Sequence, residues 1–207
     1  MDQTVSNSAQ VTSSPPLETR GSVVRSLAAT LVEHHLLDEI AATVSPAARS
    51  MLREPPLPTE WIDGRVLNEI FEAILRVHGA DLLMRLNRQS IERGVSPLIR
   101  GAAESVLRVF GVSPATLLSR LGRVGGTMSR GVVYHYDALT ETSGSFEIEY
   151  TNLVDVPLGA SIASVGGLEL IFDMCSVRGS FGAPEVVANG RRNRVRFPVS
   201  WRPLRDR

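Results

Sequence analysis

The 207-residue sequence contains no lysine, and all 22 of its basic residues are arginine. Schiff-base catalysis, the phosphate-binding loop of P-loop NTPases and the nucleotide contact of protein kinases each require an ε-amino group. The absence of lysine therefore excludes these classes of enzyme.

Cysteine and histidine are also scarce. The single cysteine, Cys175, excludes an internal disulfide and a multi-cysteine zinc site, and it is typical of a small buried hydrophobic residue. The four histidines, His34, His35, His78 and His135, show none of the paired spacings of metal ligands. We therefore predict neither a metal site nor a cofactor.

The sequence also lacks a net charge and a long apolar run. Its 22 acidic residues balance the arginines, so no overall basic field attracts nucleic acid or anionic lipid. The N-terminal residues show no signal-peptide pattern, and the roughly 18 consecutive apolar residues of a membrane span occur nowhere. We predict a cytoplasmic protein that binds neither nucleic acid nor a membrane.

Composition divides the chain into three parts. Residues 1–19 are polar and rich in serine and threonine, and we interpret them as a disordered leader because they cannot bury enough apolar surface to offset ordering entropy. Residues 20–203, in which apolar residues recur regularly, are predicted to form a single domain. Residues 204–207 form a short basic tail.

Apolar residues recur at steps of three and four over the first two-thirds of the chain, which predicts amphipathic helices. Asp63 is predicted to cap one of them, and Gly79 to end or kink it. Serine before proline is typical of a helix start, and this pair occurs at Ser45-Pro46, Ser96-Pro97 and Ser113-Pro114. Short connections favour neighbouring, largely antiparallel helices, so this part is predicted to be a bundle.

After Gly131 the period of the apolar residues shifts towards two. The segments VVYHYDAL and FEIEY predict a hairpin with its turn at residues 141–145, and a second hairpin is predicted around Asn189-Gly190. Helical spacing returns between them, over residues 158–176. We predict an α+β fold in which an N-terminal helical bundle packs on a small antiparallel sheet, with a late helix between two hairpins.

Two glycine pairs invite comparison with nucleotide-binding loops. Neither Gly125-Gly126 nor Gly166-Gly167 belongs to a GxGxxG sequence after a strand or to a loop that ends in Lys-Ser/Thr. Each pair is interpreted instead as a helix terminus or as a close helix contact in which a side chain would clash.

One pair of residues suggests acid–base chemistry. His135 and Asp137 share a face of a predicted strand, where they could pair with each other, contact a ligand or serve a small enzyme of unknown reaction class. No serine lies in a GxSxG sequence, and Glu147 and Glu149 alternate with apolar residues as on the wet face of a strand. A non-catalytic protein is therefore favoured, with an enzyme as the alternative.

The C-terminus carries a local basic patch although the whole chain is neutral. Arg191, Arg192, Arg194 and Arg196 begin a run of seven arginines that extends to the last residue. Such a run is either a solvated edge strand that resists aggregation or a docking surface for an acidic protein. We predict that these four arginines bind a protein partner and that the chain forms a homo-oligomer, as a homodimer, or joins another protein.

The order of features from Gly21 to Trp201 resembles that of a known group of proteins. The shared features are the connector before Trp61, the glycine-punctuated bundle, the strand GSFEIEY, the helix through Gly167 and the closing strand RVRFPVSW. The chain resembles the myxobacterial paralogous family of uncharacterised proteins, which is similar in layout to haem-NO-binding-like and four-vinyl-reductase small-molecule-binding domains. The resemblance implies a helical layer against a twisted antiparallel sheet, dimers, small hydrophobic ligands and signalling or scaffold roles.

The sequence departs from that pattern at the cofactor. Haem-NO-binding domains use a helix histidine as the iron ligand and a YxSxR motif against the haem propionates, and this chain has no YxSxR. The cysteine clusters of metal-binding relatives of the four-vinyl-reductase group are absent as well.

The predicted function is a non-catalytic sensing, scaffold or interaction module that acts through protein–protein association. An apolar cavity between the helices and the sheet is predicted to bind a small hydrophobic molecule, because its expected lining mixes apolar and a few polar groups. The predicted lining residues are Trp61, Phe71, His78, Tyr134, Phe172 and Cys175. The alternative is that all six belong to the core.

Overall fold

Helices occupy the first half of the described chain, which comprises residues 16–94, 113–187 and 193–204 of a computed structural model. Two of the predicted helix starts are confirmed, because the hydroxyl oxygens of Ser45 and Ser113 each accept a hydrogen bond from the backbone N–H three residues further on, at 3.3 Å. Ser96-Pro97 lies outside the described residues. The helices are α1 Gly21–Glu33, α2 Leu37–Thr43, α3 Pro46–Arg53, α4 Gly64–Gly94 and α5 Pro114–Gly125.

Helix α4 is interrupted at Gly79, where φ is 81° and ψ is 174°. These angles lie outside the helical region and are open to glycine because it has no Cβ. The predicted end or kink at this residue is confirmed. Helix α4 therefore consists of two helical segments, of which the second runs to Gly94.

The larger sheet is antiparallel and consists of β4 Val132–Thr140, β5 Ser143–Tyr150, β6 Val177–Phe181, β7 Glu185–Val187 and β8 Arg194–Pro203. Its strand order is β4-β5-β8-β6, with β7 also paired to β8. The first predicted hairpin is confirmed, with His135 opposite Glu147. Strand β8 is long enough to pair with β5 on one edge and with both β6 and β7 on the other. The turn predicted at Asn189-Gly190 lies outside the described residues.

A second, three-stranded sheet was not predicted. It consists of β1 Glu18–Arg20, β2 Trp61–Asp63 and β3 Ser129–Arg130 in the order β2-β1-β3. Residues 16–19 were expected to belong to the disordered leader, and this part of the expectation is corrected, because Glu18 and Thr19 pair with both neighbouring strands. Residues 1–15 lie outside the described residues. Strands this short carry no alternation of apolar residues by which the sequence could reveal them.

The late helix lies between strands β5 and β6, as predicted. It comprises α6 Leu158–Leu168 and a short turn of helix, α7 Leu170–Met174. The predicted α+β fold class, with N-terminal helices on a small antiparallel sheet, is confirmed. Among the described residues, no helix combines the length and apolar character that crossing a bilayer requires.

Buried apolar residues form two clusters. One lies among α1, α2, α3 and α4, and the other lies between the larger sheet and α5, α6 and α7. Helix α6 contributes to both, since Ala160, Ile162 and Ala163 belong to the first cluster and Val165 to the second. The space between the helical layer and the sheet is therefore organised around α6.

Candidate functional site

Helices α6 and α4 pack so closely that two glycines of α6 contact the backbone of α4. A Cβ added to Gly159 would stand 2.7 Å from the backbone nitrogen of Glu72, and one added to Gly166 would stand 2.6 Å from the Cα of Met84. Real Cβ atoms do not approach backbone atoms this closely, so each position accepts only glycine without a shift of the helices. The interpretation of Gly166-Gly167 as a close helix contact is confirmed.

Side-chain hydrogen bonds join the same elements. A Glu72 carboxylate oxygen accepts a 2.6 Å hydrogen bond from the backbone N–H of Gly159, where a negative charge also suits the N-terminus of α6. The Asn87 amide donates a 2.6 Å hydrogen bond to the Ala163 carbonyl. Asn87 is 5% exposed, and burying its amide would be costly without this partner.

The sequence could have signalled this contact. Gly159, Ala163 and Gly166 recur at steps of four and three, which places small residues on one side of a helix. Asn87 falls among the apolar residues that form the buried stripe of α4. A polar residue on a buried stripe indicates a specific hydrogen-bond partner, although it does not identify that partner.

A small cavity remains beside this contact. Its volume is about 60 Å³, and α4, α6 and strands of both sheets border it. The hydroxyl of Tyr150, at its edge, lies 3.1 Å from the hydroxyl oxygen of Ser161. The lining residues are Leu17, Glu18, Thr19, Gly64, Leu67, Asn68, Phe71, Ser129, Val132, Tyr134, Tyr150, Ala160 and Ser164.

Two of the six predicted ligand-binding residues border this cavity, Phe71 and Tyr134. Trp61 instead lies in the smaller sheet, with the guanidinium carbons of Arg20 and Arg130 each 4.0 Å from its ring centroid. These cation–π contacts stabilise the smaller sheet. The Trp61 ring does not border the cavity.

The other three predicted residues lie in separate surroundings. The buried Nε2 of His78 lies 3.3 Å from a Glu39 carboxylate oxygen, without hydrogen-bond geometry. Phe172 packs in the sheet cluster, with its ring centroid 5.5 Å from that of Phe181. Cys175 is half-buried after α7 and borders the same cluster. The described structure does not bring the six residues together.

The outward face of the larger sheet carries a ladder of charged side chains. A Glu149 oxygen lies 2.9 Å from the Arg194 guanidinium and 3.5 Å from His135 Nε2. Glu147 lies 3.4 Å from Arg194 and 3.3 Å from Arg196. The suggested pairing of His135 with Asp137 is corrected to Glu149, which lies diagonally across the hairpin from His135 and whose carboxylate reaches the imidazole.

Two of the four predicted partner-binding arginines are thus engaged within the sheet. Arg194 and Arg196 neutralise the strand glutamates, which reduces the positive charge they offer to another protein. Arg191 and Arg192 lie outside the described residues. The prediction that this run binds a partner stays a prediction.

The sequence matches no protein-family model and none of the curated proteins. Solved structures do match. The unliganded Fe(II) H-NOX protein from K. algicida superposes with a TM-score of 0.64 over 91% of this chain and 99% of that chain, at 9% sequence identity. The chain has the H-NOX fold.

Further H-NOX structures agree. A mutant of the T. tengcongensis H-NOX protein superposes with a TM-score of 0.57 at 12% identity and covers 89% of this chain and 99% of that chain. A structure that concerns haem distortion in the H-NOX family has a TM-score of 0.57, 12% identity and coverage of 91% and 98%. At these identities the similarity establishes the fold alone.

The site between the layers does not fit a haem group. A porphyrin is at least as large as a drug-sized ligand, and pockets for such ligands measure about 300–1,000 Å³. The cavity here measures only about 60 Å³.

Two phenols, Tyr134 and Tyr150, border the cavity. Burial raises the pKa of Tyr134 to about 12 and raises that of Tyr150 as well. Burial therefore disfavours, at both residues, the phenolate form in which tyrosine binds iron.

These raised pKa values predict a loss of stability at alkaline pH. The ordinary pKa of tyrosine is about 10, so between pH about 10 and about 12 the unfolded chain loses protons that the folded chain keeps. The stabilisation is complete below this window and is lost as the pH rises through it. We expect the free energy of unfolding to fall there by up to about 1.4 kcal/mol per pH unit for each tyrosine.

Urea unfolding at several pH values would measure this slope. The chain contains no lysine that would titrate in the same window. Since burial also raises the pKa of Cys175 to about 11, a Cys175→Ser background isolates the phenols. Tyr134→Phe should reduce the slope, and an unchanged slope in that variant would contradict the assignment.

A larger cleft, of about 400 Å³, opens on the surface where the second segment of α4 meets the residue between α6 and α7. Arg88 lies at its centre, 3.5 Å from Glu92 and 3.9 Å from Glu169, and it also pairs with Asp173. Burial raises the pKa of Glu169. The lining residues are Asp81, Met84, Arg85, Arg88 and Glu169. The spacing of Arg88 and Glu92 was visible in the sequence, but the contact with α7 was not.

Proposed function

We propose that this chain is a non-catalytic sensing or interaction module built on the H-NOX fold. The match to that fold over 91% of the chain is the observation that supports the proposal best. One of the matching structures concerns the mechanism of H-NOX activation, which is a property of a regulated module. The catalytic alternative gains no support, because His135 pairs with Glu149 on the exposed face of a sheet.

The module acts through association with a protein, either a second copy of itself or another chain. Arg191 and Arg192 open the arginine-rich C-terminal run, and they precede the two arginines that pair with strand glutamates. Arginine suits such an interface because its planar guanidinium forms bidentate contacts with carboxylates. The proposal also includes a cytoplasmic location and, from the sequence features named above, a place in the myxobacterial family.

Two double variants of equal charge test the association. We expect Arg191→Ser/Arg192→Ser to weaken self-association or partner binding about tenfold at low salt, because the removal of two positive charges weakens electrostatic attraction to an acidic surface. Arg194→Ser/Arg196→Ser is the matched control, and it should weaken binding less, because these side chains already pair with Glu147 and Glu149. Light scattering across a salt series measures both.

Equal effects of the two variants would show that total charge, and not the surface at Arg191 and Arg192, governs association. A particle that stays monomeric at high concentration and recovers no partner would contradict the proposed interaction role.

A small ligand at Phe71 and Tyr134 is part of the same proposal, and native mass spectrometry of the protein purified from its source would reveal it.

A further inference from the structure

We propose that this chain is an H-NOX-fold protein that takes up no haem, because its own helix α6 closes the space between the helical layer and the sheet. The inference stands apart from the proposed sensing or interaction role, which requires no haem.

The closure rests first on backbone contact. Gly159 and Gly166 are two helical turns apart, and the missing side chain at each position lets α6 approach the backbone of α4. Ala163 lies between them, is fully buried and accepts the hydrogen bond from Asn87. A planar ligand inserted here would have to separate two helices that touch along two turns.

Hydrogen bonds hold the same helix at both faces. The Glu72 carboxylate of α4 accepts a hydrogen bond from the first turn of α6. On the other side of α6, the Tyr150 hydroxyl of the sheet forms a hydrogen bond with the Ser161 hydroxyl. Separation of the layers would leave a backbone N–H and a phenol without partners, which is unfavourable for buried polar groups.

The second argument concerns the iron ligand. Haem iron is held by histidine, cysteine, tyrosine or methionine, and every histidine, cysteine and tyrosine of the chain lies within the described residues. His34 and His35 are exposed after α1, and His78 faces Glu39. His135 faces Glu149 on the outer sheet face. None of the four histidines borders the cavity between the layers.

Residues 95–112 do not change this conclusion, because their sequence contains no histidine, cysteine, tyrosine or methionine. The remaining candidates at the cavity are the phenols of Tyr134 and Tyr150. The Tyr150 hydroxyl is already engaged with Ser161, and neither tyrosine begins a YxSxR sequence.

The surface cleft offers no substitute site. Its volume of about 400 Å³ is sufficient for a ligand, but four of its five lining residues are charged. Arg88, the residue best placed to meet a propionate, is paired with three carboxylates. A porphyrin needs an extended apolar surface on both faces, and Met84 alone does not supply it.

Titration of the full chain with hemin tests the inference. We expect no saturable Soret band, no iron porphyrin that remains with the protein through gel filtration, and no increase in melting temperature, which tight binding to the folded state would cause. The H-NOX protein from K. algicida, whose structure contains Fe(II), serves as the positive control under identical conditions.

A 1:1 complex whose Soret band is changed by substitution of one histidine or of Tyr134 would overturn the inference. Hemin on a protein surface gives a broad absorbance that grows without saturation and that Tyr134→Phe leaves unchanged. This result would support the inference.

Hydrogen exchange gives a reading independent of hemin. We expect the backbone amides of Ala163 and Val165 to exchange among the slowest in the chain, and fast exchange there would show that the layers open.

Discussion

Replacement of Gly166 by valine is expected to lower the free energy of unfolding by about 3 kcal/mol. The added Cβ would stand 2.6 Å from the Cα of Met84, and backbone atoms cannot yield as the end of a flexible side chain can. Overpacking of an interior commonly costs about 1–3 kcal/mol, and a clash with backbone belongs at the upper end of that range. The midpoint of urea unfolding, at an unchanged m value, measures the loss.

Gly122 provides the matched control because it also lies within a helix. A Cβ added there would meet the Tyr134 carbonyl oxygen at 3.5 Å, which is an ordinary contact. Gly122→Ala should stabilise the protein by up to about 1 kcal/mol, since alanine has the higher helix propensity. Two glycine substitutions in two helices are thus expected to have opposite signs. If Gly166→Val were neutral, the close approach of α4 and α6 would be refuted, and with it the packing argument against haem.

Phe146→Ala is the second substitution with a large expected effect. Phe146 is fully buried on β5, and its ring lies 6.0 Å from the Tyr134 ring and 5.9 Å from the Phe181 ring. Removal of a buried phenylalanine ring costs about 3–5 kcal/mol, because apolar contact is lost and a cavity remains. For a chain of this length that corresponds to a decrease in melting temperature of roughly 10 °C.

Leu139→Ala, on strand β4 of the same hairpin, is the control for Phe146→Ala. Its side chain is 73% exposed, so the free energy of unfolding should change by less than about 0.5 kcal/mol. The pair separates the loss of core packing from any general sensitivity of the hairpin. A decrease of only a few tenths of a kcal/mol for Phe146→Ala would show that the sheet cluster contributes little to stability.

The sequence by itself determined the features that depend on neighbouring residues. Serine before proline indicates a helix start because both effects act within one turn, and this holds at Ser45 and Ser113. Alternation along β5 indicates which side chains are buried because successive residues point to opposite faces. The α+β class follows from the order of such local patterns.

The tertiary structure decided which buried residues meet. Periodicity shows that Phe71 and Phe172 lie on buried faces, but they belong to different clusters, and only Phe71 borders the cavity. His135 gained Glu149 as its partner through the register of two strands, and the register is set by pairing along their whole length.

The same limit explains the site between the layers. A pair of glycines in a helix indicates that something approaches closely, yet the backbone of Met84 and the carboxylate of Glu72 are about 80 residues away in sequence. Strand β1 likewise depends on partners at residues 61–63 and 129–130. Local periodicity reports that a face is buried, whereas the shape and size of the space beside it depend on how distant segments pack, and only the folded chain shows that this space is nearly closed.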